Sequence, residues 1–246
     1  MARYDSIGIG YGKIRQPDAR LAAAIARALG DAAQVLNIGA GAGSYEPRDR
    51  EVTAVEPSAV MLSQHPGAWR VQARAGRLPF ADKTFDAAMA TMTVHHWPDL
   101  EAGLREMQRV SRRQVVFAWD PEHASDLWLQ TEYLPGSATF ERSRHPPLAR
   151  VAALMQAHPI VPFEIPHDFT DGLQHAFWRR PQAYLNPQVR AASSMFPLLP
   201  TEVVDAAVAQ LAADISSGVW AQRHADLLSC DSMDYGFRIL IAGDRA

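Results

Sequence analysis

Three glycines at alternate positions form the most informative segment of the sequence. The buried-looking run Val35–Ile38 leads directly into Gly39, Gly41 and Gly43. Because glycine has no side chain, such a turn lets the backbone approach a ligand closely. Open α/β sheets bind their ligands at the carboxyl ends of the strands, where this turn would lie. The segment therefore predicts a cofactor site after the first strand.

An acidic residue supports the same interpretation. Glu56 follows the next apolar run, 17 residues beyond Gly39, and a carboxylate there can accept hydrogen bonds from both hydroxyls of a ribose. NAD and S-adenosylmethionine (SAM) both carry that ribose, so the presence of Glu56 does not distinguish between these two cofactors. Dinucleotide-binding turns follow the pattern G-x-G-x-x-G/A, and Ser44 stands at its last position. A nicotinamide-dependent oxidoreductase is thus the alternative that fits less well.

Strand and helix patterns alternate over the first half of the chain. This alternation predicts a doubly wound, mostly parallel sheet in an α/β fold. Further along, residues 121–233 are rich in proline and helical patterns, with one strand expected at 160–165 and a last one at 237–242. The expected strands are residues 35–38, 52–55, 69–73, 85–90 and 114–119, and the expected helices are 17–29, 58–64, 100–110 and 201–217.

Composition narrows the function classes. The chain has 246 residues, a net charge of −3 and one cysteine, Cys230, so no intrachain disulfide can form. The absence of a basic excess makes nucleic acid a poor first partner. No secretory signal or long apolar run stands out, and we expect a cytoplasmic protein that does not enter a membrane. We expect no metal site, because adjacent histidines such as His95 and His96 lack the spacing to ligate one ion.

These segments resemble the methyltransferase type 11 group of class I SAM-dependent methyltransferases, which includes ubiquinone- and menaquinone-biosynthesis-like enzymes. The resemblance covers residues 30–120. The segments that carry it are Val35–Gly43, Val52–Ser58 with Met61, Leu78–Asp86 and His95–Asp99. It implies SAM as cofactor, a seven-stranded sheet whose last strand runs antiparallel to the rest, and methyl transfer to a small-molecule acceptor.

The resemblance also implies roles for individual residues. The glycine turn would flank the methionine part of SAM, Glu56 would bind the ribose, and Ser58 and Met61 would lie near the adenine. Ala75 would contact the adenine edge, and the end of the fourth strand would face the methionine amino group. The implied cofactor-binding residues are Gly39, Ala40, Gly41, Gly43, Glu56, Ser58, Met61, Ala75, Ala90 and Thr91.

Two positions depart from the family pattern. Asn37 stands where motif I often has Asp, and it keeps an acceptor oxygen but loses the charge. Arg74 stands where an acid often lies next to the adenine. These departures leave open a methyltransferase-like module that binds SAM without turnover.

Residues for the acceptor are harder to find. His95 and His96 follow the fourth strand and are the candidates for a general base, which is needed only if the acceptor must lose a proton. Five further residues are candidates for acceptor binding: Tyr4, Tyr11, Trp119, Asp120 and His167.

We expect one domain, residues 1–246, in which four parts have different tasks. Residues 1–16 form an N-terminal arm, 17–120 the SAM-binding core, 121–233 a largely helical insertion with the sixth strand, and 234–246 the last strand. The insertion and the arm are expected to form a lid over the carboxyl edge of the sheet, which would exclude water from the sulfonium.

Overall fold

Short strands form the centre of the molecule. The computed structural model describes residues 15–123, 126–193 and 195–244. The strands in these ranges are β1 (Gln34–Ile38), β2 (Glu51–Val55), β3 (Trp69–Val71), β4 (Phe85–Thr91), β5 (Ser111–Trp119), β6 (Ile160–Pro162), β7 (Ile165–Pro166), β8 (Ser232–Met233) and β9 (Phe237–Gly243). Seven of them make one sheet in the order β3-β2-β1-β4-β5-β9-β6, while β7 pairs with β8.

The sheet is parallel except at β9. In register, Val35 lies beside Val52 on one side and Ala87 on the other, whereas β9 runs antiparallel to both β5 and β6. The doubly wound, mostly parallel seven-stranded sheet predicted from the sequence is confirmed. The last strand is the antiparallel one, as the resemblance implied.

The prediction of one strand over residues 160–165 was wrong. β6 ends at Pro162, and the chain leaves the sheet after the Phe163 amide has donated to the Phe237 carbonyl. Ile165 pairs instead with Met233 in the separate β7–β8 ladder. The apolar run is thus divided between two sheets.

Helices cover both faces of the sheet. Alternate residues of β4 face opposite layers: Ala87 and Met89 pack in the cluster that contains α1, and Ala88 and Ala90 in the one that contains α3. The helices are α1 (Ala19–Leu29), α2 (Ala59–Gln64), α3 (Leu100–Val110), α4 (Ser137–Arg142), α5 (Leu148–Met155), α6 (Pro187–Ala192), α7 (Thr201–Ser216), α8 (Val219–Arg223) and α9 (Ala225–Leu228).

Most of residues 126–233 pack on the α1 side of the sheet, whereas α5 packs on the α3 side. Their large aromatic side chains, including Trp128, Trp178 and Tyr184, join the same buried cluster as α1 and β5. Between the helices lie single turns at 94–96, 129–133, 174–177, 181–185 and 196–198. Within the described ranges, every helix is too short or too polar to cross a lipid bilayer.

Candidate active site

The glycine turn has the backbone geometry that its sequence predicts. Gly39, Gly41 and Gly43 have φ values of 74°, 55° and 87°, a region that side chains disfavour. The turn is fixed to the end of β2, because the amides of Gly39 and Ala40 donate to the Val55 carbonyl at 2.8 and 3.0 Å. A Cβ at Gly39 would lie 2.1 Å from the Thr93 hydroxyl, so only glycine fits there.

The Glu56 carboxylate is held against this turn. Glu56 is buried, with 6% of its surface exposed. Its Oε2 accepts from the Gly41 amide at 3.0 Å and its Oε1 from the Ser58 amide at 2.9 Å. Each carboxylate oxygen has a further lone pair, so the group can also accept from a ligand hydroxyl.

A cavity of about 380 Å³ opens between the turn, Glu56 and the end of β4. Its volume falls in the range of cofactor pockets. Seven of the cofactor residues implied by the resemblance line it: Gly39, Ala40, Gly41, Glu56, Met61, Ala75 and Thr91. The other lining residues are Arg15, Asn37, Ala42, Ser44, Tyr45, Val55, Pro57, Ala73, Arg74, Met92, Thr93, His95, His96, Trp97 and Pro98.

Three of the implied cofactor residues, Gly43, Ser58 and Ala90, do not line the cavity. A Cβ at Gly43 would lie 2.8 Å from His65 Nε2, so this glycine makes room for a histidine. Ser58 is the N-cap of α2 and accepts from the Met61 amide at 3.2 Å. Ala90 is fully buried in the α3 layer. Each of them supports the wall of the cavity from behind.

A carboxylate also lies behind the turn, although Asn37 has replaced the usual acid. Glu46 Oε1 accepts from the Asn37 amide at 2.9 Å and lies 2.9 Å from His65 Nε2. The Gly67 amide donates to His65 Nδ1 at 3.0 Å, so the proton of a neutral His65 is on Nε2 and points to Glu46. The sequence did not point to Glu46, because its spacing from Asn37 and His65 matches no known motif.

The start of the described chain joins the insertion at the cavity wall. Arg15 and the buried Asp171 form an ion pair, and the Tyr45 hydroxyl donates to Asp171 Oδ2 at 2.7 Å. Burial, together with the Asp171 charge, raises the pKa of Tyr45 well above its usual value, so this hydroxyl stays protonated and remains a donor. Arg15 and Tyr45 both line the cavity, and the insertion is thus tied to its rim.

A second, smaller space of about 50 Å³ adjoins the cavity. The two share Arg15, Met92 and His95, which form the boundary between them. One water occupies about 10–15 Å³ by this measure, so the space has room for roughly four. Its other lining residues are Trp119, Glu141, His145, Leu173, Gln174, His175, Ala192, Ser193 and Phe237.

The candidate general bases lie at the junction of these spaces. His95 and His96 both line the large cavity, with ring centroids 3.8 Å apart. Of the two, His95 also lines the small space, where its ring lies 4.2 Å from that of His145. The structure therefore brings three imidazoles together, and the sequence pointed to two of them.

The candidates for acceptor binding have different positions. Trp119 lines the small space, and its indole N–H donates to the Tyr235 carbonyl at 2.7 Å. Asp120 and His167 line neither space: Asp120 accepts from the Glu122 amide, and the His167 amide donates to the Asp231 carbonyl. Tyr4 and Tyr11 lie outside the described residues.

Four polar residues of the small space had no signal in the sequence. Arg15, Glu141, His145 and His175 come from segments far apart along the chain and belong to no spacing motif. Residues 15–123, 126–193 and 195–244 contain no cluster of three or more His, Cys, Asp or Glu side chains that could hold a metal ion.

Together these observations define a Rossmann-like α/β protein with a nucleoside-cofactor site at the carboxyl edge of its sheet. The comparisons with known proteins agree with that class. A family model described as a methyltransferase domain matches residues 36–118. A crystal structure from Anabaena variabilis, described as a methyltransferase from an antibiotic biosynthesis pathway, is 30% identical and has a TM-score of 0.87. The match covers 95% of this chain and 100% of that one.

Two more distant matches are informative about extent and fold. The uncharacterized protein YafE of Escherichia coli K12 is 42% identical over 65 residues, which are 24% of this chain and 31% of YafE. This match thus spans about a third of that relative's length. A phosphoethanolamine N-methyltransferase of Haemonchus contortus, solved with phosphomonomethylethanolamine and S-adenosylhomocysteine, is 13% identical with a TM-score of 0.58. The match covers 98% of this chain and 58% of that one, and it shows the likeness of fold.

The chain belongs to the class I SAM-dependent methyltransferases, and its cofactor is SAM. This membership sets the nicotinamide-dependent alternative aside.

Proposed function

We propose that this protein transfers the methyl group of SAM to a small-molecule acceptor bound in the 50 Å³ space. The observation that carries the proposal is the shared boundary of the two spaces at Arg15, Met92 and His95. A donor in the large cavity and an acceptor in the small space would meet there. In the transfer, a bond forms between the acceptor atom and the methyl carbon while the carbon–sulfur bond breaks, and its electron pair stays on sulfur. Positioning of the two reactants supplies much of the rate of such a displacement.

For the cofactor, we propose that Glu56 accepts hydrogen bonds from the ribose hydroxyls. The carboxylate is fixed by two backbone amides and lines the cavity, which supports this role. Gly39, Ala40, Gly41 and Thr91 would border the methionine part, and Met61 and Ala75 the adenine. Gly43, Ser58 and Ala90 keep the supporting positions described above.

For residues 126–233, we propose the role of a lid. The support is a set of contacts that joins the segment 168–171 to the start of α1 and to the cavity wall. Besides the Arg15–Asp171 pair, Arg20 pairs with Asp168 at 2.6 Å, and Asp18 accepts from the Thr170 amide at 3.1 Å. Closure here would exclude water from the sulfonium. Hydrogen exchange with and without SAM tests the lid: new protection in 168–171 is expected, and protection confined to 39–56 would contradict it.

We also propose that the acceptor is not a nucleic acid and that the protein works in the cytoplasm. A net charge of −3 gives no general attraction to phosphate backbones. The lone cysteine agrees with a reducing compartment. The relatives described above include a protein assigned to antibiotic biosynthesis and one that binds a small phosphorylated amine.

The central experiment separates donor binding from transfer. Calorimetry should show binding of S-adenosylhomocysteine and no heat with NAD⁺, and a hundredfold ligand excess should stabilise the fold by about 2.7 kcal/mol. Absence of binding at millimolar ligand would refute the proposed donor site. Binding without transfer of tritium from labelled SAM to any acceptor would instead indicate a module that holds SAM without turnover.

A further inference from the structure

A series of aromatic and imidazole rings, in tilted and edge-to-face contact, extends from the cofactor cavity into the insertion. The ring centroids of His95 and His145 are 4.2 Å apart, those of His145 and Trp119 4.9 Å, and those of Trp119 and His175 5.7 Å. All four residues line the small space, together with the apolar side chains of Met92, Leu173 and Phe237. These walls favour a flat, apolar molecule.

The hydrogen bond of His145 fixes which ring nitrogen carries the proton. His145 Nδ1 lies 3.0 Å from the backbone carbonyl of Glu141, and a carbonyl can only accept. The proton is therefore on Nδ1, and Nε2 presents a lone pair. A base in the small space needs this tautomer, and the preceding turn of α4 imposes it.

The small space disfavours a cation. Burial lowers the pKa of His145, and it lowers the pKa of the fully buried His175 to about 3, so both imidazoles are neutral near pH 7. Burial raises the pKa of Glu141 to about 7, although Gln130 donates to it at 2.7 Å. Arg15, the guanidinium that lines the small space, is paired with Asp171.

These features have a consequence for the acceptor. Glu141 is only partly ionised near pH 7, and Asp171 is already paired with Arg15, so neither carboxyl offers a firm negative charge to an ammonium group. A neutral acceptor enters such a site at lower cost, but a neutral hydroxyl must lose its proton when its oxygen is methylated. The site therefore needs a base, and His145, whose Nε2 carries a lone pair, lines the small space.

We propose, building on the methyl-transfer function above, that His145 Nε2 is the general base for a neutral phenol-type hydroxyl acceptor. The acceptor oxygen gives its proton to Nε2 and forms the bond to the methyl carbon as the carbon–sulfur bond breaks. The products are the methyl ether, S-adenosylhomocysteine and an imidazolium, which returns its proton to solvent. His95, His175, Glu141 and Arg15 surround the ring within this space, and Arg144 lines a recess next to it.

The first test uses 4-nitrophenol, whose ionised form absorbs visible light, with protein saturated in S-adenosylhomocysteine. In the native protein, the hydrogen bond that the neutral hydroxyl donates to Nε2 favours the un-ionised probe, so the bound probe should ionise at a pH at least one unit above that of the free phenol. His145→Gln, which has no titratable nitrogen, should lose that shift. The exposed His158 provides the matched control, and His158→Gln should behave as the native protein does.

The results separate the possible failures. An unchanged probe spectrum in His145→Gln overturns the role of His145. Absence of 4-nitrophenol binding, while S-adenosylhomocysteine still binds, overturns the phenol-type acceptor. If S-adenosylhomocysteine does not bind the native protein, the proposed function itself fails. Its unchanged affinity in His145→Gln shows that the variant is folded.

Transfer of tritium from labelled SAM gives the second test. His145→Gln should lower kcat for phenol at least a hundredfold, within the usual range for general-base catalysis. The loss should be much smaller for 4-nitrophenol, because its hydroxyl is far more acidic than that of phenol and depends less on a base. Equal losses for both phenols contradict the base, and transfer to benzylamine but to neither phenol contradicts the acceptor class.

Discussion

The two sides of the active site are built in different ways. The cofactor side comes mostly from one stretch of about 60 residues, in which Asn37, Glu56 and Thr91 stand at the carboxyl ends of parallel strands. The acceptor side takes Arg15, His95, Glu141, Gln174 and Ser193 from separate parts of the chain. The first side presents backbone groups and one carboxylate to its cavity. The second encloses a small space with side chains, and its chemistry depends on how the insertion packs.

This difference shows what each side can tolerate. On the cofactor side, the turn is limited by backbone conformation and by close contacts with Thr93 and His65. On the acceptor side, a buried ionisable group is tolerated at a cost that depends on pH. Substitutions on the two sides should therefore differ in whether their effects change with pH.

The largest effect is expected at Gly39. In Gly39→Ala, the new Cβ meets the Thr93 hydroxyl and φ stays positive, so unfolding should become easier by about 3 kcal/mol. Gly218→Ala is the matched control, because its φ is 79° with no atom within 4 Å of a new Cβ, and it should cost about 1 kcal/mol. Equal losses in urea denaturation would show that contact with Thr93 is unimportant. Thr93→Ala removes the hydroxyl but leaves its own Cβ 2.9 Å from the new one, so it should lower the cost of Gly39→Ala without reaching that of the control.

The substitution Glu141→Gln should stabilise the fold, and the size of this stabilisation should depend on pH. The pKa of Glu141 is about 7 in the folded protein and 4.5 when unperturbed, so the folded state holds more protons between these values and loses stability as pH rises. Glu141→Gln removes this loss and keeps an acceptor for Gln130. Above pH 7 the variant should be more stable by about 3 kcal/mol, with little difference near pH 4.5.

Denaturation at pH 5 and pH 8 measures this effect. The exposed Glu122, changed to Gln, is the control and should show no difference at either pH. A stabilisation of Glu141→Gln that is equal at both pH values would mean that titration of the carboxyl is not its cause.

Asp18 joins the start of α1 to the insertion and should have an intermediate effect. Burial acts to raise its pKa, but hydrogen bonds from Arg20 and Thr170 outweigh burial and lower the pKa from 3.8 to about 2. The carboxylate thus stabilises the fold above pH 4, and the stabilisation is lost as pH falls towards 2. Asp18→Asn should cost about 2 kcal/mol at pH 7, and the exposed Asp31→Asn close to nothing. If both variants unfold alike at pH 7, the charge of Asp18 does not join α1 to the insertion.

Glu56→Ala should give the smallest free-energy change of the four. Because a charged acceptor is lost, the affinity for S-adenosylhomocysteine measured by calorimetry should fall at least tenfold, which is about 1.4 kcal/mol of binding free energy. Glu51 lies at the exposed start of β2, the strand that precedes Glu56, and provides the control. Glu51→Ala should bind S-adenosylhomocysteine as the native protein does. An unchanged affinity of Glu56→Ala would place the ribose elsewhere and would weaken the contrast between the two sides.

Much of the sheet and its cofactor edge could be predicted from local patterns. The helix at 100–110 was predicted with its observed bounds, since its apolar spacing and the Asp99 cap are both local. The strand at 160–165 was not, because residues that are far away in sequence decide which strand an apolar run will pair with. The same limit applies to Trp178, Tyr184 and Phe196, because no local pattern specifies which part of the core they join.

The sequence by itself determined the order of the parallel strands, the glycines with positive φ and the position of Glu56. Those properties depend on neighbours along the chain, because parallel strands bring their carboxyl ends to one edge whatever follows. Only the tertiary structure decided that Gly43 makes room for His65, and that Glu46 replaces the missing acid beside Asn37. It alone also placed His145 beside His95 and buried Glu141, because burial and ring contacts between distant segments exist only once the insertion has packed on the sheet.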